Sequence, residues 1–134
     1  MTCNLCTIVQ EEYRVVALEE RVYSIVPYTP LVEGHVMVVP RRHVWQHDLE
    51  ADELREMNQM IVTLKNKLIV LYPQQHPLIW AASDTQHASI PDHFHYHLVP
   101  SAQNLRELIS SYFNIPVSRE QPPADLERRA RLLR

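Results

Sequence analysis

The chain has 134 residues, 46% of them hydrophobic, which suits one compact domain with a buried core. Its formal net charge of −3 excludes the overall basic field of a general nucleic-acid-binding protein, although a small anionic ligand needs only a local site. Gly34 is the one glycine, so glycine-rich phosphate loops are also excluded.

Cys3 and Cys6 form a Cys-x-x-Cys pair. No apolar run reaches the roughly 18 residues of a membrane span, and the first residues do not resemble a secretory signal. We therefore expect a cytoplasmic protein with no membrane partner. In a reducing compartment the pair indicates metal ligands or a redox pair rather than a disulfide, and unliganded thiols are the remaining alternative.

Short runs rich in β-branched residues predict three strands in the first third of the chain. Residues 14–18 and 22–26 are separated by a charged turn and predict a hairpin. Residues 35–39 predict a third strand, which Pro40 should stop.

A long amphipathic helix is predicted over residues 51–72. Asp48 and Asp52 suit its start and Pro73 its end. Its apolar residues recur every three or four positions and predict one buried stripe: Leu54, Met57, Ile61, Leu64, Leu68 and Leu71. A fourth strand over residues 78–82 and a polar connection over residues 83–92 should follow.

His93, His95 and His97 alternate with aromatic and aliphatic residues in the fifth predicted strand, residues 93–99. Successive side chains of a strand point to opposite faces, so the three imidazoles should share one face, roughly 6–7 Å apart. A lone strand histidine is usually structural, but three in alternation serve no core. The row indicates a metal site, an acid–base relay or a nucleophile.

The last part of the chain predicts two helical segments, residues 105–112 and 125–134. The second carries a run of arginines, which indicates either a solvated helix face or a tail that meets phosphate: Arg128, Arg129, Arg131 and Arg134.

The motif His93-x-His95-x-His97 resembles the signature of the histidine-triad (HIT) family. Residues 34–43, GHVMVVPRRH, resemble that family's upstream strand and turn, and one long helix separates the two motifs. The resemblance implies an α+β fold, with a five-stranded, mainly antiparallel sheet and one long helix packed on it, in a homodimer. We predict a single domain over residues 1–134, with a core at 3–100 and a helical extension at 101–134.

The resemblance implies that His95 is the nucleophile. A neutral imidazole can attack an α-phosphorus and form a nucleotidyl-histidine, from which water releases a nucleoside monophosphate. The other ring nitrogen of His95 must then be a donor, most simply to a backbone carbonyl. His97 is expected to bind phosphate oxygens, and His35 to continue the hydrogen-bond relay.

The resemblance also implies a structural zinc. Zinc takes four tetrahedral nitrogen and sulfur ligands, and Cys3 and Cys6 supply two of them. Zinc-containing relatives complete such a site with residues that correspond here to His43 and His93. His47 is an alternative ligand, whereas surface positions are expected for the other histidines, His76 and His87.

The chain departs from the family pattern in its nucleotide contacts. Relatives hold the ribose with an Asp or Asn eight residues before the histidine of the Gly-His pair, where this chain has Pro27. Ile90 and Ala82 replace further polar positions. We expect polar residues of the connection before the triad to bind the substrate instead, foremost Ser83, Gln86 and Ser89, with Asp84 and Thr85 beside them.

The sequence thus predicts a hydrolase that cleaves a nucleotide phosphoramidate or phosphoanhydride at its α-phosphorus. A nucleotidyltransferase or phosphorylase with the same intermediate is one alternative, and a non-catalytic, zinc-stabilised nucleotide-binding module is another. A metal-dependent hydrolase with the triad itself as ligands is a further alternative, but it needs a carboxylate, for which Asp92 is nearest.

Overall fold

A computed structural model of the chain describes residues 3–7, 10–82, 93–115 and 120–134. The chain divides into two compact units, Met1–Gln103 and Asn104–Arg134. The first unit contains the sheet and a long helix, and the second contains two shorter helices.

Five strands and two α-helices are found among the described residues of the first unit. The strands are β1 (Val15–Leu18), β2 (Val22–Ile25), β3 (Val36–Pro40), β4 (His76–Trp80) and β5 (Tyr96–Ser101). The helices are α1 (Asn4–Thr7) and α2 (Ala51–Leu71). The strand order is β1-β2-β3-β5-β4, and every neighbouring pair is antiparallel. The predicted α+β fold with a five-stranded antiparallel sheet is confirmed.

The sheet is covered on both faces, so its central strands β2 and β3 are buried along their whole length. On one face, α2 packs against Val22, Val36 and Val38. On the other face, Leu5 of α1 covers a second apolar cluster: Tyr23, Ile25, Met37 and Val39. The N-terminal segment is therefore part of the core.

Helix α2 begins in a capping box, in which Glu53 accepts a hydrogen bond from the backbone N–H of Glu50 at 2.9 Å. Glu50, rather than Asp48, is thus the acidic residue that caps the helix. The predicted apolar stripe is partly wrong, because Leu54 and Leu71 are 45% and 67% exposed. The side chains that meet the sheet are Met57, Met60, Leu64 and Leu68.

The strand that carries the histidines starts later than predicted. His93 and His95 precede β5, and only His97 lies within it. The register that pairs Val38 with Tyr96 would bring Phe94 opposite Pro40, which has no N–H to donate. Phe94 instead donates its backbone N–H to the carbonyl of Val44, at 2.9 Å.

Several strands of the sheet contain proline. Pro40 is the last residue of β3, and Pro100 lies inside β5. Pro100 is opposite Pro77 of β4, a pairing that suits two residues without N–H groups. The predicted strand 78–82 correspondingly shifts to His76–Trp80.

Gly34 lies immediately before β3 with φ +93°, a conformation that L side chains rarely adopt. A Cβ there would lie 2.7 Å from the Tyr72 ring and 2.8 Å from Pro100. Gly34 therefore lets the chain enter β3 close to the end of α2, with His35 as the next residue.

The second unit contains α3 (Leu105–Phe113) and α4 (Pro123–Leu133), close to the predicted helices. Asn104 caps α3 by accepting the N–H of Glu107 at 2.8 Å. The α4 arginines are exposed, and Arg128 and Arg129 both pair with Asp125. No helix in the described parts of the chain is long and apolar enough to cross a membrane.

Candidate active site and metal centre

A cluster of three imidazoles lies where β3 begins and β5 pairs with it. The Nε2 atom of His35 is 2.9 Å from the Nδ1 atom of His97. The His95 and His97 rings meet edge to face with centroids 4.9 Å apart. The structure therefore brings together the three residues that the sequence predicts as catalytic.

A backbone hydrogen bond to His35 determines which ring nitrogen carries the proton in His35 and, through it, in His97. The backbone N–H of Leu31 donates to Nδ1 of His35 at 3.0 Å, so that nitrogen is an acceptor. A neutral His35 then carries its proton on Nε2 and donates it to Nδ1 of His97. His97 consequently carries its own proton on Nε2.

His95 has the opposite tautomer. Its Nδ1 is 2.9 Å from the backbone carbonyl oxygen of His93, and a carbonyl can only accept. The ring therefore donates from Nδ1, and its lone pair lies on Nε2. Burial lowers the pKa of His95 below its usual value, although the hydrogen bond to the carbonyl opposes this shift.

The relay histidines are held in their neutral forms. Burial lowers the pKa of His35. Burial, with smaller contributions from His95 and His35, lowers the pKa of His97 to about 4. At neutral pH, His97 is therefore an uncharged ring that offers an N–H from Nε2.

Trp80 adds an aromatic wall that the sequence did not predict as part of the site. It pairs with His97 across β4 and β5, and their rings stack at 5.5 Å with an interplanar angle of 24°. The alternation along strand 78–82 contained the necessary signal, since residues opposite each other share a face, but the register between strands could not be read from the sequence.

A second cluster brings together the four predicted metal ligands: Cys3, Cys6, His43 and His93. Their candidate ligand atoms all lie within 4.8 Å of one another. Cys6 Sγ is 3.3 Å from Nδ1 of His43 and 3.5 Å from Nδ1 of His93, and Cys3 Sγ is 3.4 Å from Nδ1 of His93. The cluster is able to hold a metal ion.

The ring of His93 is oriented as a metal ligand requires. Its Nε2 lies 2.7 Å from the carbonyl oxygen of Pro40 and therefore donates to it. That tautomer leaves the Nδ1 lone pair facing the two sulfur atoms. A backbone carbonyl behind the second ring nitrogen is the usual support of a histidine ligand.

The other predicted site residues lie elsewhere. His47 is exposed and its ring stacks on Trp45, and His76 is exposed at the start of β4. Neither belongs to the metal cluster found among the described residues. The expected substrate-binding residues lie outside the described residues: Ser83, Gln86 and Ser89, with Asp84 and Thr85. The same holds for three other residues named from the sequence: His87, Ile90 and Asp92.

The chain is similar in sequence to known proteins over most of its length. Residues 1–114 match a family described as protein similar to CwfJ C-terminal. The chain is 23% identical over 124 residues to adenosine 5'-monophosphoramidase hnt1 of Schizosaccharomyces pombe, an alignment that covers 90% of each protein.

Solved structures of similar fold span the same region. A histidine triad nucleotide-binding protein from Candida albicans superposes with a TM-score of 0.70 and 20% identity, covering 98% of this chain and 92% of the other. Diadenosine triphosphate hydrolase of Plasmodium falciparum superposes with a TM-score of 0.61 and 20% identity, covering 78% and 79%. At these identities the two structures establish a likeness of fold.

Proposed function

The chain belongs to the family of proteins similar to the CwfJ C-terminal region and is a histidine-triad protein, and from that premise we propose that it is a nucleotide hydrolase. The names of the relatives support this class, since one is an adenosine monophosphoramidase and another a diadenosine triphosphate hydrolase. The observation that carries the proposal is the hydrogen bond from His95 Nδ1 to the His93 carbonyl, because it leaves the lone pair on Nε2.

In the first step, Nε2 of His95 attacks the α-phosphorus of the nucleotide. A nitrogen–phosphorus bond forms as the bond to the leaving group breaks, and the leaving group departs with that electron pair. A phosphate leaves as an anion, and the nitrogen of a phosphoramidate leaves as a neutral amine because it is protonated from solvent before the bond breaks. The ring becomes a cation whose Nδ1–H is directed at the His93 carbonyl, which stabilises the positive charge.

His97 contacts a phosphate oxygen and not the bond that breaks, and His35 supports His97. The Nε2–H of His97 donates to a phosphoryl oxygen, while His35 fixes the ring through its own N–H. In the second step, water attacks the phosphorus, the bond to Nε2 breaks, and a nucleoside monophosphate leaves. The proton of the attacking water passes with the product to solvent, and after the second step every side chain is again in its starting tautomer.

The substrate class is a nucleoside phosphoramidate or a dinucleoside polyphosphate. Ser83, Gln86 and Ser89 are proposed to contact it, in place of the ribose contact that Pro27 cannot make. A homodimer and a cytoplasmic location are part of the same proposal.

A zinc ion is proposed at Cys3, Cys6, His43 and His93. Zinc–sulfur and zinc–nitrogen bonds of about 2.3 and 2.0 Å place a sulfur and a nitrogen ligand roughly 3.5 Å apart in a tetrahedral site, and three of the four sulfur–nitrogen pairs lie at 3.3–3.5 Å. With four protein ligands the ion has no open position, so it would be structural rather than a source of activated water. It would fix His93, whose carbonyl supports His95.

A single-turnover experiment tests the hydrolase. Adenosine 5'-phosphoramidate and diadenosine triphosphate, labelled at the α-phosphorus, are mixed with excess protein and quenched in alkali, which preserves phosphorus–imidazole bonds. We expect label on the wild-type chain and none on His95→Asn, with turnover lower by at least about 1,000-fold. His76→Asn, at an exposed histidine, should retain both.

Two other outcomes would contradict the proposal in distinguishable ways. Nucleotide binding without an adduct or turnover would indicate the non-catalytic binding module. An adduct that water does not resolve, but inorganic phosphate or a second nucleotide does, would indicate a phosphorylase or nucleotidyltransferase.

A further inference from the structure

The turn that carries His43 is tied to the start of α2 by an ion pair whose carboxylate is buried. The Arg42 guanidinium makes a two-pronged contact with the Glu53 carboxylate, Nε to Oε2 at 3.0 Å and Nη2 to Oε1 at 2.6 Å. Glu53 is 2% exposed, whereas the Arg42 side chain is 49% exposed. A buried carboxylate needs such a partner, so Arg42 is held where Glu53 requires it.

Further hydrogen bonds fix both side chains. Oε1 of Glu53 also accepts the backbone N–H of Glu50 at 2.9 Å, and Nη2 of Arg42 also donates to the carbonyl of Asp48 at 3.1 Å. The carboxylate therefore has one orientation, set by the first turn of α2. Arg42 in turn is bonded both to α2 and to the segment before it.

The same turn holds the second histidine ligand. Pro40 accepts from Nε2 of His93 at 2.7 Å, and Val44 accepts the N–H of Phe94 at 2.9 Å. His93 is thus held by two contacts around it, while the side chain of His43 is exposed. The ion pair of the preceding residue, Arg42, restrains the turn beside His43 through two hydrogen bonds.

We propose that Glu53, acting through Arg42, is a positioning residue that fixes His43 for metal binding. The inference rests on the proposed metal site. Metal sites tolerate ligand displacements of only a few tenths of an ångström, and the loss of a group hydrogen-bonded to a ligand typically weakens binding by roughly 10–100-fold. Arg42 and Glu53 act one residue away from His43, so the lower end of that range applies to them. Helix α2 would thereby take part in the metal site without supplying a ligand.

A neighbouring ion pair on α2 provides a matched control. Glu56 accepts from Nη1 of Arg21 at 2.8 Å and from its backbone N–H at 3.1 Å. This pair ties the same helix to the β1–β2 turn instead of the His43 turn. The carbonyl of Arg21 accepts the N–H of Arg41 beside the His43 turn, and this backbone bond does not involve Glu56.

The test compares zinc affinity in the full-length wild type, Glu53→Gln and Glu56→Gln by competition with a chromophoric chelator. We expect roughly tenfold weaker binding in Glu53→Gln and no more than about twofold in Glu56→Gln. Cobalt(II) spectra of the three proteins report ligand geometry independently of affinity, and a distorted tetrahedral spectrum is expected only in Glu53→Gln. Urea unfolding of the metal-free proteins shows whether the two variants are equally stable.

Arg42→Lys is the second variant, because it keeps the charge that Glu53 needs and loses the two-pronged contact. Arg42→Lys should also bind zinc more weakly than the wild type, so the inference can still be tested if Glu53→Gln does not fold. Equal zinc affinities in the wild type, Arg42→Lys and Glu56→Gln would overturn the inference. A wild-type protein that binds no zinc would overturn the metal site itself, and the inference with it.

Discussion

At the scale of single residues, the three histidines of the triad differ in the hydrogen-bond partners of their ring nitrogens. His93 donates from Nε2 to Pro40, and His95 donates from Nδ1 to the His93 carbonyl. His97 receives its hydrogen bond on Nδ1 from His35. Three residues that look equivalent in the sequence therefore have different hydrogen-bond partners, and the proposed function assigns them to a metal site, a phosphorus atom and a phosphate oxygen.

The pKa of His97 predicts a loss of stability in acid. Its folded value of about 4 lies below the unfolded value of about 6.5, so only the unfolded chain takes up the proton between them. The stabilisation is complete above pH 6.5 and is lost as the pH falls toward 4, by at most roughly 3 kcal/mol and by less to the extent that water reaches the ring.

Urea unfolding of the metal-free protein at pH 7 and pH 5 measures this loss. His97→Gln should show a smaller difference between the two pH values than the wild type, and His76→Gln, an exposed histidine, should match the wild type. An unchanged pH dependence in His97→Gln would contradict the prediction.

The sequence could predict residues whose chemistry is distinctive, but not residues whose role comes from burial. Cys3, Cys6, His43 and His93 were predicted together from the family resemblance, and the structure brings them together. Glu53 was not predicted, because a glutamate on a helix is ordinarily exposed. Its burial depends on Arg42, a partner that only the folded chain supplies.

At the scale of elements, periodicity predicted where the strands and helices lie better than it predicted their ends. The bounds of α2 were within one residue, because a 21-residue amphipathic pattern is unambiguous. The start of β5 was wrong by three residues, since alternation from His93 onward looks like a strand whether or not a neighbour is available to pair with it.

The observed buried face of α2 predicts unequal losses of stability at two residues that the sequence pattern places in the same apolar stripe. Met57 is fully buried, whereas Leu54 is 45% exposed. Met57→Ala should lower the free energy of unfolding by about 2–5 kcal/mol, because it leaves a cavity under the sheet. Leu54→Ala should change it by about 0.5 kcal/mol or less. Urea unfolding at neutral pH measures both, and equal losses would place Leu54 in the core.

At the scale of the whole molecule, the sequence predicted the number of strands but not their order. β4 precedes β5 in the chain but lies outside it, so β5 pairs with both β3 and β4. This order puts His97 between Met37 and Trp80. Neither neighbour can be read from local patterns, since both depend on pairings between distant segments.

Metal removal tests the molecule as a whole. Protein purified without added metal should contain about one zinc per chain, by the four-ligand argument, and treatment with a chelator should lower its melting temperature. Cys3→Ser should lower the zinc content and abolish the effect of the chelator. His47→Ala should leave both unchanged, because His47 lies outside the cluster. Wild-type protein that melts at the same temperature with and without the chelator would contradict a structural metal.

Leu5 lies between the two cysteines and is 1% exposed, covering Tyr23, Ile25 and Met37. It sits in a helix of only four residues, which is too short to persist by itself in water. If the proposed metal were bound by the cysteines and then removed, this short helix would no longer be held on the sheet, and the apolar face of the sheet would meet solvent. Solubility, and not only the proposed catalysis, would then depend on metal supply.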